Sequence, residues 1–134
     1  MIDREHMFEP MLEACPTFKP IWDEFCSEWE GHSEGQPLYL VLGDLARHLI
    51  QLLQSETTGQ FEAIFFVVER WHCEGEHYVR EAATIGLLEG IQFTAGHEGV
   101  APKLFERWLL PESKKWWDKL HRFWAGDMCA LNDS

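Results

Sequence analysis

PLYLVLGDLARHLIQLLQS, residues 37–55, is the stretch whose reading decides the fold class of this chain. Its first seven residues could pass for a strand, because a short apolar run suits a buried strand and a buried helix equally well. The continuation decides between them. Leu38, Leu42, Leu45, Leu49, Leu52 and Leu53 keep a helical period over roughly four turns. Between residues 37 and 54 only Asp44 and Arg47 are charged at neutral pH. The spacing therefore predicts one long, central and mostly buried helix.

The flanking sequence carries the same period. Upstream, Phe8, Met11, Leu12 and Cys15 make one stripe of a helix over about 3–15, which Pro16 stops. A second helix over about 17–29 turns Phe18, Ile21, Trp22, Phe25 and Trp29 inward and Asp23, Glu24, Glu28 and Glu30 outward. The polar loop GHSEGQ, residues 31–36, is the clearest break in the chain. Downstream, AIFFVV again mimics a strand, but Glu62, Glu69 and Arg70 fall on the opposite face of a helix over about 59–73, leaving Phe61, Ile64, Phe65, Val68 and Trp71 or His72 inward. Gly75 breaks the chain. A fifth helix over about 76–93 offers a narrow face of Val79, Ala82, Ala83, Gly86, Leu87 and Ile91, which lets a neighbouring helix come close. TAGHEG, residues 94–99, reads as a loop. A sixth helix from Pro102 buries Leu104, Phe105, Trp108 and Leu109 and stops at Pro111. A seventh runs to Ala125 with Trp116 or Trp117, Leu120, Phe123 and Trp124 inward. Adjacent Trp residues there pack in the core or stand out as an anchor for a partner. The expected architecture is all-α, about seven helices in an antiparallel bundle or stacked helical hairpins, with no sheet, as one domain over 1–134 with a frayed tail at 126–134.

The charge is lopsided. The net formal charge is −12, and residues 1–100 hold 18 acids against 5 bases, a net of −13. Such a field repels nucleic acid and draws a basic partner. It also serves plain solubility. Cys15, Cys26, Cys73 and Cys129 form no C-x-x-C pair, so reduced thiols are expected rather than a disulfide framework or zinc knuckle. The N-terminus carries both signs of charge and no apolar h-region, and no apolar run is long enough to span a membrane, which points to the cytoplasm.

The residues that could carry chemistry are few. ERWHCEGEH, residues 69–77, holds two E-x-x-H pairs, Glu69 with His72 and Glu74 with His77. Pairs of that kind bind dinuclear metal in four-helix bundles, but there they sit on separate helices and are joined by two further Glu residues. Here the two pairs are offset by only five residues in one stretch that Gly75 interrupts, and the alternative is a solvated helix end. The serines Ser27, Ser33, Ser55, Ser113 and Ser134 read as exposed or in loops, without G-x-S-x-G. His72 and Cys73 are neighbours whose side chains diverge on a helix. No enzyme constellation, resident metal or cofactor is expected.

The stretch ERWHCEGEHYVREAATIGLLEGIQ, residues 69–92, carries the patterns E-G-E-x-x-V and A-A-T-x-G-L-L-E-G-I-Q. From about Leu38 to Phe93 the chain resembles a family of small helical bacterial proteins of otherwise unknown function, similar to immunity proteins of polymorphic and contact-delivered toxin systems. The resemblance implies a protein that binds and neutralises a cognate toxin in the cytoplasm, and it brings no catalytic residues with it. An acidic surface over a basic toxin active site fits the charge. The acids expected to meet it are Asp23, Glu24, Glu28, Glu30, Glu34, Glu69, Glu74, Glu76 and Glu81. Two other readings stay open: a non-catalytic adaptor or regulatory protein, with a homodimer as one form, and a metal-binding helical protein.

Overall fold

The computed structural model describes residues 1–31 and 36–126. The molecule is all-α, and among the described residues there is no strand. Helix α1 spans Phe8–Ala14, and a 3-10 turn at Pro16–Phe18 leads into α2, Lys19–Glu28. The long helix α3 is Leu38–Gln54, and α4 is Phe61–Glu74. Three segments then form one uninterrupted helical run over 77–97: α5 (His77–Glu81), a π-helical stretch (Ala82–Leu88) and α6 (Glu89–His97). A 3-10 segment, Pro102–Trp108, precedes α7, Pro111–Trp124.

Helix α3 is the centre, as its leucine period predicts. Leu38, Val41, Leu42, Leu45, Ala46, Leu49 and Ile50 are all buried along it. Its main neighbour is not the next helix in the chain but the π-helical stretch and α6. The small residues of that run explain the choice. A Cβ added at Gly86 would lie 2.6 Å from Leu42 Cδ1, and one at Gly90 would lie 3.4 Å from Ala46 Cβ. The two glycines, four residues apart, meet two α3 residues that are also four apart, so the helices touch almost backbone to backbone. Helix α4 packs on the other side, against α1 and α7. Trp71 and Trp117 are fully buried there. Each large apolar side chain removed from water contributes about 1.5–3 kcal/mol, which suits an aromatic-rich core of this size.

Several boundaries differ from expectation, each for a local reason. The first helix starts at Phe8 rather than near residue 3, because the leading residues are tied to the α4–α5 junction. Ile2 N–H donates to Glu74 O at 2.8 Å, Glu76 N–H donates to Ile2 O at 2.8 Å, and the Trp71 indole N–H donates to Met7 O at 2.9 Å. Residues 94–97, expected in a loop, continue α6. The helix ends instead at Gly99, whose φ of +72° lets Val100 N–H close on Ala95 O at 2.8 Å. The sixth helix is 3-10, not α, and its Leu104 is 54% exposed while Phe105 is buried. In α7 Trp117 takes the core position, Trp116 is half-buried and Trp124 is 58% exposed. Residues 32–35 of the expected loop and 127–134 of the expected tail, including Glu34 and Cys129, lie outside the described residues.

Candidate functional site

Helix α2 begins with Pro20 in its first turn, where a missing N–H costs little, and buries one edge through Phe25. Its other edge is acidic. Asp23 is bridged by Lys19 one turn earlier at 3.0 Å, an exposed pair worth little. Glu24, Glu28 and Glu30 are exposed and have no ion-pair or hydrogen-bond partner on their carboxylates among the described residues. Between α2 and α3 lies an open groove lined by Ile21, Glu24, Phe25, Glu28, Asp44, Arg47, His48 and Gln51. Arg47 is taken by Asp44, three residues before it. The Thr17 hydroxyl and His48 Nε2 stand 2.8 Å apart, and burial pushes the imidazole below its ordinary pKa, so at neutral pH it adds no positive charge. Glu24 and Glu28 are thus left uncompensated on the groove.

The second acidic region, residues 69–81, is built differently. The carboxylate of Glu69 turns inward to the start of α7. Its Oε2 accepts from Glu112 N–H at 2.9 Å, and its Oε1 accepts from both Ser113 N–H and the Ser113 hydroxyl at 2.8 Å. These are the N–H groups a helix start leaves without partners, and Leu110 supplies no side-chain cap of its own. Burial alone would raise the Glu69 pKa, but the two backbone N–H groups, the hydroxyl and the nearby His72 outweigh it and hold the carboxyl below its ordinary value. Glu69 was expected on the outer face of α4, and its role as a cap for another helix corrects that reading. Glu76 Oε1 accepts from Arg4 N–H at 3.1 Å, Glu74 pairs with Arg70 at 3.2 Å, and Glu81 pairs with His77 at 3.2 Å. Every carboxylate of this turn that was expected to face a partner already has one within the chain.

Beneath Glu69 lies a buried polar network. His72 Nδ1 is 3.0 Å from Val68 O, which can only accept, so Nδ1 carries the hydrogen. The Thr84 hydroxyl then donates to His72 Nε2 at 3.0 Å. Ser113 Oγ, 3.1 Å from Nδ1, shares that hydrogen as a second acceptor while donating its own to Glu69. Burial pushes the His72 pKa down, against the opposing pull of Val68 O, Glu69 and Glu112. The chain of contacts joins α4, the π-helical stretch and α7. A Ser, a His and a Glu meet here, yet the serine is fully buried and its proton points at the carboxylate rather than at an imidazole lone pair, which is the reverse of what nucleophilic attack needs. The arrangement fastens three helices together.

The metal-binding set is pulled apart by the same contacts. Glu69 and His72 are engaged in the network, whereas His77 is exposed and faces Glu81. Among the described residues no three His, Cys, Asp or Glu side chains gather to hold an ion. Cys15 is buried, Cys26 half-buried and Cys73 exposed, all as free thiols. No helix of the described residues is long and apolar enough to cross a membrane.

Sequence reading missed Ser113 and Thr84 and misjudged Glu69, although two of the three leave a signal. Ser113 stands four residues before Trp117 and seven before Leu120, on the buried stripe of α7. Glu69 follows Phe65 by four residues and precedes His72 by three, both buried, which sets it at the edge of the α4 stripe.

Residues 8–125 match a family described as a domain of unknown function (DUF7674), and the chain belongs to that family. No curated protein and no solved structure matches the chain.

Proposed function

We propose that this protein is a non-catalytic binding protein that neutralises a cognate toxin, in the manner of an immunity protein, by placing the α2–α3 groove against a basic surface of that toxin. The observation that carries the reading is the pair Glu24 and Glu28, which line an open groove and are paired with no cation among the described residues. Two uncompensated carboxylates on a concave surface favour Lys or Arg side chains on a partner and speed its approach. A toxin that handles nucleic acid or nucleotides carries such groups where phosphate binds, so covering them removes its substrate site. Residence in the cytoplasm beside such a target belongs to the same proposal. Glu30, exposed just beyond the end of α2, widens the field; Asp23 is exposed on the helix but bridged by Lys19.

The test is co-purification with the product of the adjacent upstream reading frame, followed by rescue of growth in cells that express it. A tight complex that restores growth, and that weakens as salt rises, supports the proposal. A complex indifferent to salt, or growth that is not restored, counts against it.

A further inference from the structure

Helix α4 has an outer face that the core does not use. Phe66 stands on it 56% exposed, with exposed Glu62 and Ala63 before it and Arg70 after it. This face lines an open groove of about 960 Å³ together with Pro10 and Ala14 of α1 and with Trp108 and Leu110. Glu62 has no partner among the described residues. Arg70 holds Glu74 through Nε alone, at 3.2 Å, which leaves its terminal N–H groups for another acceptor.

We propose that this face binds a second copy of the chain, the two α4 helices lying antiparallel about a two-fold axis that passes through Phe66. The order of groups on the helix carries the inference. Glu62 and Arg70 lie four residues to either side of Phe66, about 6 Å along the axis in each direction. Reversing the helix sets Glu62 opposite Arg70 of the second copy, and Arg70 opposite its Glu62, while the two phenylalanines meet at the centre. A two-fold interface must be self-complementary in this sense. The charge of the groove agrees, because Glu13 and Glu62 cancel Arg70 and Arg107, whereas a face for a basic toxin would carry an acidic excess as the α2–α3 groove does. Phe66 supplies the buried aromatic centre on which such interfaces depend.

The proposal is independent of the toxin reading, since none of these residues lines the α2–α3 groove. Sedimentation velocity on the full chain, from about 1 to 100 µM, tests it. A concentration-dependent dimer is expected. Phe66→Glu should raise its dissociation constant at least about 30-fold, as loss of a central aromatic does. Glu62→Arg should weaken it, and adding Arg70→Glu to the same chain should restore it to within about threefold. Phe66 and Glu62 are exposed, so circular dichroism should find both variants folded. A monomer throughout the range overturns the proposal. So does a dimer that ignores Phe66→Glu, or one that the double charge swap fails to restore.

Discussion

On α2, Glu24 and Glu28 line a groove with no cation paired to them among the described residues; across the 69–81 turn, every acid has a partner within its own chain. The difference lies in what each helix faces. The acidic edge of α2 looks across an open groove whose one arginine is already taken by Asp44. The turn meets both the start of α7 and the leading segment of the chain, and each brings unpaired N–H groups to it. Similar local composition thus serves stability in one place and leaves free charge in the other. Substitutions should separate the two regions cleanly.

The largest expected effect on stability is Glu69→Ala. It strips an ionised acceptor from two backbone N–H groups and a buried hydroxyl, at a cost of about 2–4 kcal/mol. Thermal melting should show a drop of roughly 10 °C. A melting point within a degree of the parent would mean that water satisfies the start of α7 just as well.

Acid should weaken the same region in two stages. The unfolded His72 gains its proton near the ordinary value of 6.5, whereas the folded imidazole resists it. Its contribution is therefore complete above pH 6.5 and declines below it, until the folded group is protonated as well. Glu69 acts in the same direction at lower pH. Its contribution is present above 4.5 and is lost as the pH falls through its lower folded value. Melts taken from pH 7.5 downward check this, and His72→Gln should flatten the first stage alone.

Ser113→Ala removes one hydroxyl from the network but leaves Glu69 its two backbone donors, so about 1–2 kcal/mol is expected by urea titration. The smallest effect belongs to α2. Glu24→Lys with Glu28→Lys should change stability by no more than about 0.5 kcal/mol, because neither carboxylate holds a partner among the described residues. A larger loss would place α2 among the structural acids and erase the contrast.

The all-α architecture was legible because helical period outlasts strand-like runs. PLYLVLG and AIFFVV both resolve once the next turn is counted. The close face of residues 79–91 was legible too, since Gly86 and the alanines have no other use in a helix. The π-helical stretch was not. Its extra residue is fixed by contacts such as Thr84 with His72, twelve positions away, and no local pattern encodes it. The extension of α6 to His97 depended on reading Gly99, not Gly96, as the stop, and only the backbone φ distinguishes them. Of the acids expected to meet a partner, those of α2 stand in the open as read. Glu74 with Arg70 and Glu81 with His77 are pairs four residues apart, but Glu69 and Glu76 were indistinguishable from the α2 acids by composition, because their partners come from residues 112, 113 and 4, far away in the chain.

The central claim is that the free carboxylates of α2 are the contact with a basic partner. The most direct measurement is the affinity of the intact chain for the product of the adjacent upstream reading frame, with and without Glu24→Lys and Glu28→Lys, over a range of salt. A loss of at least about tenfold in a variant that melts like the parent, together with a flatter salt dependence, is the predicted result. Unchanged affinity and unchanged salt dependence in that folded variant would contradict the account and reduce the acidic face of α2 to an ordinary solvated surface.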